Sequence, residues 1–435
     1  MVEPASVAAV ASPPLRRRFG RGWRWGLAAS IAGLGLLLYG LLAPALVGVG
    51  LWGNNSAYPW GFDIANYVWW VGVANGASLF ASILVLREHN LRTATNRFAE
   101  ATALATVAAA ALFPVIHLGR PWLAGWMFPY PSTTGLWPQF ISALTWDFWA
   151  ILAHLLVTGL FWYVGLIPDL ALLRDRARTM RTKRIYGLLA IGWRGSARHW
   201  ALQQRAHRLV ALSVIPMIFV VQSAVAFMLS AMIVPDWHDT RLPLSLTVGG
   251  FTTGLAATLL LAHALREGLD LHAHIDDGDI RLLGILVASA GLCGMLLTGT
   301  DLYLSLLGDA PDRDAFLARV AGPRAWLPIL GLALLLLAPQ ALWWERVRRS
   351  ALLATLVATA VLAGAWLERV SIVADGLIRD RLWQQDTLYM PTLSEWVLLL
   401  GTLAMVAFWL LIFARTLPVV SIYESREHAE RENLP

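Results

Sequence analysis

The stretch NRFAEATALATVAAAALFPVIHLGRPW (Asn96–Trp122) decides the architecture. Its apolar run, 98–116, has the roughly 20 residues of helix needed to cross a bilayer core about 30 Å thick. It ends on an abrupt cluster of His117, Arg120, Pro121 and Trp122. A membrane-spanning helix that stops at a basic, proline-marked turn is the simplest reading.

Nine further segments of the same kind lie outward from it, near 25–49, 63–86, 141–166, 207–233, 244–266, 279–303, 326–344, 350–372 and 394–416. The whole chain agrees. Hydrophobic residues make up 57% and charged residues 14% of its 435 residues, and the mean hydropathy is +0.59. That leaves too little polar surface to cover a water-soluble globule of this size. The expected fold is an all-α integral membrane protein of ten spans, in three parts: a basic tail (1–24), a membrane domain (25–416) and a carboxy-terminal tail (417–435).

Cations set the orientation. With the amino terminus in the cytoplasm, about three quarters of the 34 lysines and arginines fall on the cytoplasmic side, as the positive-inside rule requires. The loop 167–206 alone carries RDRARTMRTKR and GWRGSARHW. Both tails are therefore expected in the cytoplasm. The net charge of +6 reports topology and contact with anionic lipid, and does not argue for nucleic acid. The stretch RRRFGRGWRW leads into an apolar run too long for a signal peptide, so it reads as a retained anchor.

Cys293 is the single cysteine, so the chain forms no internal disulfide, holds no iron–sulfur cluster and attaches no c-type haem by itself. It shows no phosphate loop, dinucleotide fingerprint or zinc spacing. Glycine patterns such as GLGLL read as small residues that let helices approach closely.

Ionisable residues at membrane depth are costly and usually functional or paired. His117 ends the third segment and Asp147 follows the start of the fourth, so antiparallel packing brings both near the outer face. A histidine and a partly desolvated carboxylate suit the acceptance of the two protons that leave a quinol on oxidation. Trp122, Trp146, Phe148 and Trp149 supply walls for a flat apolar ring. The plainer alternative is that His117 and Asp147 cap helix ends while the tryptophans form an interfacial belt.

Several longer stretches resemble the NrfD/PsrC-type membrane subunits, and most closely the ActC and ActF subunits of bacterial alternative complex III. They include WGFDIANYVWWVGVANGASLFASILVL, the Asn96–Trp122 stretch, MFPYPSTTGLWP, TWDFWAILAHLLVTGLFWYVGLIPDLALLRDRA and RIYGLLAIGWRGSARHW. IVPDWHDT, APQALWWERVRRS, AWLERVSIVADGL and ARTLPVVSIYESRE follow in that family's order. The resemblance implies two four-helix bundles plus two extra helices. It also implies a subunit of a respiratory or photosynthetic electron-transfer complex that binds quinol (menaquinol or ubiquinol) near the outer face. Electrons would pass to a periplasmic iron–sulfur subunit and on to haem c subunits, beside a paralogous NrfD-like membrane subunit and lipids in a bacterial inner membrane. His117 and Asp147 match the family's quinol site; Arg120 would face an acidic group or lipid phosphate, and Pro121 would end the helix.

The sequence departs from the family where relatives carry buried ionisable residues: Asn75, Gln222 and Met228 stand there. His154, seven residues past Asp147 and about 10 Å deeper, would continue a proton relay or be satisfied by a neighbouring helix. Asp301 reads as joining the site or as an interfacial carboxylate, Asp63 as a cap of the second helix, and HIDDGD as a solvated turn. With only His154 titratable near mid-depth, the chain is expected to release quinol protons outward rather than conduct them across. The competing functions are a transporter, for which paired broken helices are lacking, and a scaffold that has lost its site.

Overall fold

The computed structural model describes residues 20–54, 59–89, 91–128, 143–230, 232, 237, 241–308, 310–322, 324–377 and 389–422. Most of the amino-terminal tail, the end of the carboxy-terminal tail, the greater part of MFPYPSTTGLWP and all of IVPDWHDT except Trp237 lie outside the described residues.

Ten apolar helices long enough to cross a membrane follow one another: α1 Arg21–Val47, α2 Phe62–Arg87, α3 Leu91–His117, α4 Thr145–Asp175, α5 Ala197–Ser230, α6 Leu242–Leu269, α7 Asp277–Leu307, α8 Trp326–Trp343, α9 Ala351–Ala374 and α10 Leu393–Thr416. Among the described residues there is no strand, as expected where every backbone amide must be satisfied within its own segment. α2 to α5 close into one four-helix bundle and α6 to α9 into a second, joined face to face by α2 and α6, while α1 and α10 pair beside them. The expected fold class is thus the observed one.

Glycines set the seam between the bundles. Gly72 and Gly76 of α2 meet Gly250 and Gly254 of α6, at the four-residue spacing that lets two membrane helices touch along their backbones. A Cβ added to Gly76 would stand 2.1 Å from the Gly250 carbonyl oxygen, and one at Gly254 would stand 2.2 Å from the Ala77 nitrogen. Gly33 of the GLGLL stretch likewise lies against Ala404 of α10, whereas Gly35 faces open space. α2 is consequently the most enclosed span, buried nearly throughout.

Several helices run past the ends of the apolar segments. α4 continues to Asp175, α5 begins at Ala197, and α3 begins at Leu91. The charges that ended the hydropathy run do not end the helices, because within the bundle they pair with one another. HIDDGD is more than a solvated turn: Asp276 caps α7 and forms a reciprocal capping box with Asp279. α8 widens into a π-turn at Ala333–Leu337 and then tightens into a 3-10 turn at Ala338–Trp343, and a second π-turn, Ser371–Asp375, ends α9.

Candidate functional site

α2 begins at Phe62 with Asp63 in its first turn, where the exposed amides at the helix N-terminus favour a carboxylate. One turn on, Tyr67 lies on the same face. These two residues reach the two neighbouring helices. The Asp63 carboxylate Oδ2 lies 2.5 Å from Nδ1 of His117, the last residue of α3. The Tyr67 hydroxyl donates to Asp147 Oδ1 of α4, also at 2.5 Å. Asp63, Tyr67 and Asp147 are each 1% exposed and the His117 side chain 14%, so the histidine is the member open to an incoming molecule.

A turn after α1 brings Trp52, itself buried, to stack on the His117 ring with centroids 6.3 Å apart and planes 23° apart. Among the described residues, Asp63 Oδ1, Trp52 Nε1 and Trp149 Nε1 are buried without a hydrogen-bond partner. Unsatisfied buried groups are costly, and a bound polar ligand is one way to satisfy them. With Nδ1 engaged by Asp63, the free Nε2 of His117 is the nitrogen left to meet a hydroxyl.

A second knot fixes the entrance to α2. Tyr389 donates a short hydrogen bond to Glu395 and accepts one from the Phe62 amide at 2.8 Å. Glu395 also accepts from the amides of Gly53 (2.9 Å) and Thr392 (2.8 Å), tying the Trp52 turn and the Asp63 turn to α10. Burial first, then the charge and hydrogen bond of Glu395, holds the Tyr389 phenol well above its ordinary value, so it remains a donor.

The other residues singled out from sequence are dispersed. Arg120 and Trp122 are exposed on the turn after α3. Trp146 is partly exposed on α4. Phe128, Phe148 and Trp149 pack edge to face, with centroids 5.2–5.8 Å apart. Asp301 of α7 pairs with Arg241, at the start of α6, at 3.1 Å. Asp63, expected as a cap, is not one: the cap position is Gly61, and Asp63 is spent on His117. The packing of α3 against α2 overrides the local role that the helix start suggested.

Deeper in the first bundle, both nitrogens of the fully buried His154 lack a partner among the described residues. Asn75 donates to Gln222 at 2.6 Å across α2 and α5, Ser78 and Thr158 lie 3.5 Å apart, and Met228 is fully buried. At the end of the first bundle away from His117 and Asp147 lies a buried ionic network that the sequence reading did not single out. Arg97 Nη2 lies 3.2 Å from Asp169, Arg97 Nη1 3.6 Å from Glu100, and His207 3.5 Å from Glu100. Asn96 adds a 2.5 Å bond to Glu100, and Arg97 one of the same length to the Gly165 carbonyl. His154 is therefore not the only titratable group buried in the first bundle away from His117 and Asp147; mutual pairing lets the others stay buried.

Among known proteins, the family model described as polysulphide reductase, NrfD, matches residues 50–379, a span holding Trp52, Asp63, Tyr67, His117 and Asp147. A search of curated proteins finds no match. NrfD proteins are quinone-interacting integral membrane subunits of quinol-linked oxidoreductase complexes, typically partnered with iron–sulfur or molybdenum oxidoreductase subunits. Since the match takes in well over half of the sequence and the ten-helix architecture agrees, this chain belongs to the NrfD family.

Proposed function

We propose that this chain is the quinol-oxidising membrane subunit of an alternative complex III-like assembly in a bacterial inner membrane, with both tails in the cytoplasm. One observation carries the reading: His117–Asp63 and Tyr67–Asp147 form two adjoining buried acid–base pairs at the outer ends of three helices. Oxidising a quinol to a quinone releases two electrons and two protons. His117 Nε2 takes one hydroxyl proton and Asp147 the other, while Asp63 balances the imidazolium that forms. The electrons leave to a periplasmic iron–sulfur partner and then to haem c subunits; this chain supplies the quinol pocket and holds no redox centre of its own. Purification in mild detergent is expected to recover an iron–sulfur subunit, haem c subunits and a paralogous membrane subunit, identifiable by mass spectrometry. Recovery of the chain with none of these would sink the assignment.

The topology is testable separately. Single cysteines placed in the loop 167–206 should resist an impermeant thiol reagent applied from outside and react once the membrane is opened; labelling from the outside would reverse the orientation.

Protons are released outward in this reading. The buried network of Arg97, Glu100, Asp169 and His207 favours the opposite view, a route through the chain. We read it as a closed lock: Arg97 is engaged by Glu100, Asp169 and a backbone carbonyl, and Asn75 and Gln222, which do not titrate, stand farther along the bundle. In sealed vesicles supplied with quinol and acceptor, protons counted per electron should equal those of quinol oxidation alone. Surplus uptake from the cytoplasmic side, abolished by Glu100→Gln, would establish conduction. The competing reading, a scaffold that has lost its site, is supported by those same neutral residues and opposed by the outer cluster.

A further inference from the structure

On the cytoplasmic side of the second bundle, away from the outer cluster, lies a cavity of about 150 Å³ lined by Arg266, Arg281, Arg348, Arg349, Asp277 and Glu345. It sits where α6 ends, α7 begins and the α8–α9 connection passes. Two of its four guanidiniums are already paired: Arg266 with Asp277 at 2.5 Å and Arg349 with Glu345 at 2.8 Å. Arg281 and Arg348 have no carboxylate within 4 Å among the described residues, so the cavity carries an uncompensated positive charge.

Arg348 is the more telling of the two. It is 8% exposed, and Gly284 makes room for its stem: a Cβ there would stand 2.8 Å from Arg348 Cδ. Nη1 donates to the Leu342 and Trp343 carbonyls at 2.5 and 2.7 Å. Its Nε, however, is buried with no acceptor among the described residues. A buried charge with an idle donor is expensive in the protein alone. A phosphate oxygen entering the cavity would accept from it, and guanidinium groups suit phosphate by geometry as well as charge.

The surroundings indicate where that phosphate comes from. Trp343 and Trp344 are 45% and 65% exposed just before Arg348, and Leu352 is 69% exposed just after it. Indoles of this kind mark the membrane–water interface, and apolar side chains beside them would lie along acyl chains. The cytoplasmic leaflet holds anionic lipids, which basic pockets between membrane helices recognise.

We propose that this cavity is a binding site for the phosphate headgroup of an anionic phospholipid from the cytoplasmic leaflet. Arg281 and Arg348 hold the phosphate, and Trp343 and Trp344 flank the acyl chains. The bound lipid ties together the cytoplasmic ends of α6 and α7 and the α8–α9 connection.

The test uses the purified complex in mild detergent, delipidated and then supplied with phosphatidylglycerol, cardiolipin, phosphatidylcholine or inorganic phosphate. Native mass spectrometry should show a retained anionic lipid adduct, and the two anionic lipids should raise the thermal midpoint where phosphatidylcholine and inorganic phosphate do not. Arg281→Gln, on an exposed side chain, should weaken the anionic-lipid response about 10-fold while leaving the midpoint without lipid unchanged. Arg313→Gln, at an arginine outside the cavity, should leave the response intact. Equal responses of wild type and Arg281→Gln, or equal effects of phosphatidylcholine and the anionic lipids, would overturn the proposal. Stabilisation by inorganic phosphate to the same degree would show that the site takes the free anion instead.

Discussion

Replacing His117 with alanine is expected to lower quinol-dependent electron transfer by about 100-fold or more, the usual scale for losing a general base, while the complex still assembles. The side chain lies at the end of α3 and is the most exposed member of its cluster. Asp147→Asn should produce a comparable loss, because an amide neither takes the second proton nor accepts from Tyr67 as a carboxylate does. Asp63→Asn probes a positioning role: the amide keeps the size but not the charge that faces Nδ1 of His117. Turnover should fall about 10-fold, with the larger change in its dependence on pH, since Asp63 acts through the ionisation of His117. Steady-state rates with a soluble quinol, measured across pH on complexes of verified subunit composition, decide all three. Unchanged turnover in His117→Ala would remove the site from this location. An Asp63→Asn variant with reduced rates but an unaltered pH profile would reduce Asp63 to a structural residue.

The second large effect is expected at the seam between the bundles. Gly76→Leu or Gly254→Val places a side chain where backbone atoms stand 2.1 and 2.2 Å from the new Cβ. Backbone cannot swing aside as a side-chain tip does, so the cost reaches or exceeds the about 1–3 kcal/mol typical of overpacking. α2 and α6 must then separate, and α2 carries Asp63 and Tyr67, so assembly and site should be lost together. Gel filtration of a fluorescently tagged chain in detergent should show loss of the monodisperse peak for either variant. Gly35→Ala is the control, because that glycine meets open space. A Gly76→Leu protein that eluted and turned over like wild type would show that the close approach of α2 and α6 is dispensable.

Depth in the membrane was legible from the sequence alone. Ten apolar runs of about twenty residues and the side on which the cations collect are one-dimensional properties, and they placed His117 and Asp147 near one face before any packing was known. The motif containing His117 and the TWD stretch were readable for the same reason: each interrupts an apolar run.

Partners were not legible, because they depend on which helix faces which. Asp63 is 54 residues from His117, and Tyr67 is 80 from Asp147. Nothing in their spacing marks the match until α2 is packed against α3 and α5 and reaches α4 through Tyr67. Tyr389 and Glu395 reach Phe62 and Gly53 across more than 320 residues, although the Thr392–Glu395 capping box did carry a local trace of that knot. The ionic network at the other end of the first bundle was hidden for the same reason. Hydropathy shows where charges fall along the chain but not whether they pair, so nothing in the sequence joined Arg97 and Glu100 to Asp169 and His207. A helix stops only where its backbone runs out of partners or its side chains cannot be accommodated. These four accommodate one another inside the bundle, and that compensation exists only once α3, α4 and α5 are brought together.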